Sequence, residues 1–351
     1  MKARNGIIAA VLVMMLSVVA FSPQVSALRL VTKVSLKGPP NYPALDSVNG
    51  FAYFPLDTSP GQIVKFNLLT SKIVSTLVLS ENSFPWGSAI DVQHQAAYFT
   101  LIGNLSYVVK VDLTSFKEVG SILIQGQPFA IAIDVPNQVL YVGNFRVPGI
   151  VWKIDLTKFA MVSQLTLPTG DNYVISGFVD STDGFVFFAL RIAPTTIVKI
   201  STSTFKFAGK IVTSLPGINV TGTGNYADAG YVSSTFDPVK HLAYFGTHGN
   251  PALVSIVNAS TSRKLNTITT NVAVADSLTL DSVNNNLYVG SIIGGVMAVG
   301  EVSLATNTQT TSIKLSTSSG GNVHGAVLFQ GFLYVSLHNS TAPAAAKVSV
   351  P

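Results

Sequence analysis

Apolar and polar residues alternate along most of this chain in short runs. Ile73-Val74-Ser75-Thr76-Leu77-Val78-Leu79 and Glu118-Val119-Gly120-Ser121-Ile122-Leu123-Ile124 are two of them. β-branched and aromatic residues fill the runs, and Gly, Pro, Asn and Asp punctuate them, which is the pattern of strands and turns. Beyond residue 27 no segment sustains a helical period. The pattern predicts an all-β fold.

The runs belong to a longer repeat. An Asp is followed seven residues later by an aromatic in an apolar setting: Asp46 and Tyr53, Asp91 and Tyr98, Asp134 and Tyr141, Asp180 and Phe187, Asp237 and Tyr244, Asp281 and Tyr288. A degenerate seventh copy has Val327 in the Asp place and Tyr334 in the aromatic place. The copies start 45, 43, 46, 57, 44 and 46 residues apart. Each continues into a strand with a polar residue inside it, such as Val64-Lys65-Phe66-Asn67 or Val109-Lys110-Val111-Asp112, and then into a further strand. Four strands of about six residues with short turns need roughly 40–45 residues. A radial array of such four-stranded antiparallel units is a β-propeller, here of seven blades. The last copy stops at Pro351 one strand short, whereas the strand at 29–36 precedes the first Asp. The N-terminal strand is therefore expected to complete the last blade and close one domain over 28–351, which removes two open edges.

After the aromatic come Tyr141-Val-Gly-Asn144, Tyr288-Val-Gly-Ser291 and Tyr244-Phe-Gly-Thr247, preceded by Ala-Ile-Asp-Val-Pro-Asn, Asp-Pro or Asp-Ser-Val-Asn. This resembles the YVTN family of β-propeller repeats, and the resemblance covers essentially all of 28–351. The chain departs from that pattern in lacking Thr at the third position, and blade seven lacks the Asp. Neither Trp86 nor Trp152 precedes an Asp, so the WD signature is absent. The resemblance implies a propeller of the extracellular or surface type. Propeller lactonases are a more distant, catalytic comparison.

The first 27 residues differ from the rest. Lys2 and Arg4 open an apolar stretch over 6–21, and Val25-Ser26-Ala27 supplies a small-residue exit. This reads as a signal peptide cleaved after Ala27, its apolar run shorter than the ~20 residues of a spanning helix. The mature protein is expected to be secreted or otherwise extracytoplasmic, at the cell surface or in the periplasm, with no membrane span. Four N-glycosylation sequons begin at Asn104, Asn219, Asn258 and Asn339, a number that 21 Asn residues produce by chance.

Composition narrows the chemistry. With no Cys in 351 residues, disulfides, thiolate metal sites and a Cys nucleophile are excluded. The formal charge is +5, two units of which sit in the leader. That is too little to imply a nucleic-acid partner. Gly222-Thr-Gly224-Asn-Tyr-Ala227 lacks the strand and helix a dinucleotide site needs. It lies in the surplus of the 57-residue interval, where a loop over 215–231 is expected to project from the ring. The recurring Asp residues open turns. Lys65, Lys110, Lys153, Lys199 and Lys347, which share one repeat position with Glu301, are expected to lay their stems on apolar neighbours.

The residues just before each Asp-bearing strand should line one mouth of the central channel. There the chain places Tyr42, Trp86, Phe129, Asp171, Asn172, Tyr173, Tyr226, Asp228, Asp276, Asn322 and His324. Of these, Trp86, Asp171, Tyr173, Tyr226, Asp228, Asp276 and His324 are the candidate ligand-binding residues. No catalytic motif and no cofactor motif accompanies them. A divalent cation on Asp171, Asp228, Asp276 and His324 is the one cofactor the residue types accommodate. Two functions fit: a binding scaffold for an extracellular protein, glycan or matrix partner, and a lactonase-like hydrolase with a metal or an Asp/His pair at the mouth.

Overall fold

A computed structural model describes residues 27–213, 215, 230–317 and 319–351 of the chain. The leader through residue 26 lies outside the described residues, as does nearly all of the expected 215–231 loop. The described residues form seven four-stranded antiparallel sheets and no helix, the β-propeller that the repeat predicts. No helix among them is therefore long and apolar enough to cross a membrane.

Blade one consists of Ala44–Asp46, Phe51–Leu56, Gln62–Asn67 and Lys72–Val78. The first strands of blades two to six are Phe84–Asp91, Pro128–Asp134, Val174–Asp180, Tyr231–Asp237 and Ser277–Asp281. These first strands are innermost and touch one another around the ring. Blade seven comprises Asn322–Phe329, Phe332–His338 and Ala344–Ser349, and its fourth strand is Arg29–Ser35. Arg29 pairs with Ser349 and Ser35 with Ala344, so the closure is antiparallel and in the expected place.

The recurring aromatic has a packing cause. The described core divides into seven hydrophobic clusters, each joining two neighbouring blades. Tyr53, Tyr98, Tyr141, Phe187, Tyr244, Tyr288 and Tyr334 each lie at the interface with the following blade, Tyr334 against blade one. A blade is thus covered only by its neighbours, which is why the ring must close.

The Asp residues act as expected. The carboxylates of Asp46, Asp91, Asp134, Asp180, Asp237 and Asp281 accept the backbone N–H three residues on, at 2.9–3.4 Å. Blade seven needs no such acceptor. Val327 lies within its strand opposite Tyr334, and the chain turns three residues later at Gln330-Gly331, both at positive φ. That is a tight two-residue hairpin, which the backbone alone closes.

A second turn repeats between third and fourth strands. Asn67, Asp112, Asp155, Ser201 and Asn258 accept the N–H three residues on. Four residues beyond them Ser71, Phe116, Phe159, Phe205 and Ser262 take positive φ. A Phe in this left-handed conformation is costly, and contacts with the preceding blade offset the cost. Phe116, Phe159 and Phe205 meet Tyr53, Tyr98 and Tyr141 at 5.8–6.0 Å. The ammonium groups of Lys65, Lys110 and Lys153 lie 5.7–5.8 Å from the same three rings. Lys65, Lys110 and Lys153 therefore do more than lay their stems on apolar surface: they join neighbouring blades by cation–π contact, whereas Lys199 and Lys347 lie over Phe185 and Phe332 of their own blades.

Candidate functional site

Because the strands are antiparallel, the start of each first strand and the end of each second strand share one face of the ring. The Asp turns occupy the other. Two sets of residues therefore reach the mouth: those opening the first strands, and those four positions past the recurring aromatic. The second set is Asp57, Ile102, Phe145, Arg191, His248, Ile292 and His338.

The mouth holds a cavity of 310 Å³ lined by Tyr42, Trp86, Phe129, Phe145, Arg191, His248, Asp276, Asn322 and His324, with Ile175 and Val232. Beneath it the channel continues as a 190 Å³ space walled by small residues of the innermost strands, among them Gly87, Ala130, Gly177, Ser233 and Gly325. Tyr42, Trp86, Phe129, Ile175 and Val232 line both spaces and form the neck between them.

One wall is an aromatic arc. Trp86 packs on Phe129 at 4.7 Å, Phe129 on Phe145 at 4.6 Å, and Phe145 edge-on to Tyr173 at 5.4 Å. In the other direction Trp86 meets Tyr42 at 5.8 Å and His324 at 5.2 Å, and His324 stacks on His338 at 4.0 Å. Gly87, which follows Trp86, lets the innermost strands of blades two and three approach closely: a Cβ there would lie 3.0 Å from the Phe129 carbonyl.

The facing wall is polar. Asp276 is 7% exposed, and its Oδ2 has no hydrogen-bond partner among the described residues. Burial raises its carboxyl to about 6, against the pull of the nearby Arg191 guanidinium. The Tyr42 hydroxyl donates to the Asp276 main-chain carbonyl at 3.4 Å, and burial beside the Asp276 charge pushes its own pKa far up. Val274, two residues before Asp276, holds φ at +54°, a costly conformation for a β-branched residue.

His324 is fixed from behind. Asn41 Nδ2 donates to the Pro85 carbonyl at 2.7 Å, so Asn41 Oδ1 is the acceptor facing His324 Nδ1 at 2.8 Å. The imidazole then carries its proton on Nδ1. Burial, with His338 stacked beside it, holds its pKa well below the ordinary value.

Of the residues expected at the mouth, the structure brings together Trp86, Asp276 and His324, with Tyr42, Phe129 and Asn322. Tyr173 stands at the far end of the arc. Asp171 lines neither space; it is buried and pairs with Lys210 at 2.8 Å. Tyr226 and Asp228 lie outside the described residues, as does Asn219. Of the other sequons, Asn104 is exposed, Asn258 caps a turn, and Asn339 is buried with Nδ2 donating to the Gly320 carbonyl. Arg191, His248, Phe145 and His338 were missed by the sequence reading, although the position four past each aromatic would have found them.

Among the described residues the one group of three carboxylate and imidazole side chains close enough to share a cation is Asp180, Asp183 and His241, whose ligand atoms lie within 4.8 Å. It sits at the turns on the opposite face. There His241 Nδ1 contacts Asp180 Oδ2 at 3.0 Å, a link between blades four and five. The equivalent Gln138 Nε2 donates to Asp91 at 2.7 Å between blades two and three.

No family model matches the chain, and no curated protein matches it either. Solved structures do. A chain of the hydrazine synthase of Kuenenia stuttgartiensis aligns with a TM-score of 0.73 at 12% identity, covering 91% of this chain and 99% of that one. A chain from a crystal structure of the mitotic checkpoint complex aligns with a TM-score of 0.72 at 12% identity, covering 98% of this chain and 99% of that one. At such identity the likeness extends to the fold, a seven-bladed β-propeller.

Proposed function

We propose that this propeller is a secreted or surface-exposed binding scaffold that engages an extracellular protein, glycan or matrix partner through the mouth face. The observation that carries the reading is the 310 Å³ mouth cavity, where an aromatic arc faces a buried carboxylate whose Oδ2 has no hydrogen-bond partner among the described residues. A concave, largely apolar site with a few convergent polar groups is the usual form of a ligand site, and a buried acceptor left unmade costs stability that a bound donor recovers. The YVTN resemblance and the leader support the extracellular placement. Affinity capture from the secreted fraction tests it, with wild type beside Trp86→Ala and Asp276→Asn. A partner retained by wild type and lost by both variants is expected; equal capture by all three overturns the mouth as the binding face. Amino-terminal sequencing of the exported chain is expected to begin at Leu28, and an intact Met1 would remove the leader from the argument.

A second reading, the hydrolase, is favoured by one observation. The Asp276 carboxyl, held near 6, is poised to exchange a proton near neutral pH, with His248 and His324 in the same cavity. Turnover of simple lactones that Asp276→Asn abolishes would establish it; wild-type rates equal to those of the variant would reject it.

A further inference from the structure

We propose that the mouth cavity binds a neutral pyranose, its apolar ring face against Trp86 and a hydroxyl donating to Asp276. This deepens the reading of the mouth as the binding face and rests on it.

The charge distribution selects the class. Arg191 and Asp276 both line the cavity, so an anion meets the carboxylate and a cation meets the guanidinium, each at short range in a poorly solvated space. A neutral ligand rich in hydroxyls avoids both conflicts, and one of its hydroxyls donates to Asp276. Asn322 adds an amide with both capacities on the same wall.

Shape selects the ring. Trp86, Phe129 and Phe145 form a continuous apolar wall, with centroids 4.7 and 4.6 Å apart along it. A flat ligand with one apolar face and polar edges matches a wall of this kind opposite a polar one. The cavity, at 310 Å³, equals the volume of about ten waters, room for a sugar ring and its hydroxyls. The site also needs a donor: Asp276 lines the cavity, and its buried Oδ2 is unpartnered among the described residues.

The test titrates the purified protein with D-glucose, D-galactose, D-mannose and N-acetyl-D-glucosamine, by calorimetry and tryptophan emission. Choline, L-phenylalanine and inorganic phosphate serve as charged comparisons, and a printed glycan array separates a free sugar from a chain-end residue. Of the two tryptophans, Trp86 lines the cavity while Trp152 is buried in a blade interface, so an emission change reports the mouth. The expected result is binding of at least one sugar with altered emission. Trp86→Ala and Asp276→Asn should each weaken it at least tenfold, and Trp86→Phe should weaken it less than Trp86→Ala. Should Trp86→Ala lose its fold by circular dichroism, Asp276→Asn decides. The proposal is overturned if no sugar or arrayed glycan binds folded wild type, if a charged comparison binds more tightly than every sugar, or if Asp276→Asn binds as wild type does. Capture of a macromolecular partner that depends on Trp86, without any sugar binding, would overturn the pyranose and leave the binding face standing.

Discussion

Asp276 and His324 share the mouth cavity and respond to acid in opposite ways. The folded pKa of Asp276 is raised from 3.8 to about 6 by burial. Its contribution is therefore fully present below about pH 4 and is lost as pH rises through about 6, where a buried charge must form. His324 is the reverse. Its folded pKa lies well below 6.5, so its contribution is present above about pH 6.5 and is lost as pH falls below that value toward its folded pKa. Asp276→Asn, which resembles the protonated acid, is expected to be more stable than wild type at pH 8 by on the order of 2–3 kcal/mol. The difference should close by pH 4. Between pH 6.5 and 4 the variant should lose stability more steeply than wild type, since Asp276 no longer opposes the histidine. Urea unfolding across pH 4–8 reads both. A pH-independent difference would mean that Asp276 does not titrate in that interval.

Single elements are where the sequence was most legible. Turn-opening Asp residues, strand alternation and the interfacial aromatic are local patterns in the sequence, although the aromatic owes its place to packing against the next blade. Asp134 illustrates the turn: besides the Asn137 backbone it accepts Asn137 Nδ2 at 3.0 Å and the Ser181 hydroxyl of blade four at 2.9 Å. Asp134→Ala is expected to cost about 1–3 kcal/mol in urea unfolding, through donors left unpaired. Gly143 illustrates a requirement that no local pattern reveals. A Cβ there would lie 2.3 Å from Val174 Cγ1, on the innermost strand of the next blade. The glycines at 246 and 290 make the same approach, to Ala275 at 2.7 Å and Val323 at 2.4 Å. Gly143→Ala should destabilise by about 1–3 kcal/mol through overpacking, and an unchanged unfolding midpoint would show that the blades can shift apart. A turn is legible between the third and fourth strands, but its capping was not, because Asn, Asp and Ser alternate at its opening position and its left-handed residue is Phe or Ser as readily as the Asn or Gly that marks such turns.

The ring as a whole depends on one non-local strand. Arg29–Ser35 covers the edge of Ala344–Ser349, and Leu28 and Leu36 beside it are buried in two different blade interfaces. Removing 29–35 is expected to lower Tm by roughly 10 °C or more, or to yield aggregates, since it opens a sheet edge and exposes both interfaces. Trimming at the other end is limited by packing. Val350 is buried and its N–H bonds to Gly331, while Pro351 is exposed, so deletion of Pro351 alone should leave Tm unchanged. Equal melting of the 29–35 deletion and wild type would remove the argument for shared closure.

The sequence by itself determined the strand content and the repeat, which depend on residues within one turn or one repeat, and counting the repeats determined the number of blades and left the N-terminal strand as the one that closes the last of them. It also placed Trp86, Asp276 and His324 at one mouth, since ring order carries equivalent repeat positions to one face. The tertiary structure alone decided which of those residues converge. Asp171 turns to Lys210 while Arg191 and His248 enter the cavity. Side-chain direction at the mouth is set by neighbours from other blades, such as Asn41 holding a histidine 283 residues away, and no periodicity in the chain encodes contacts of that range.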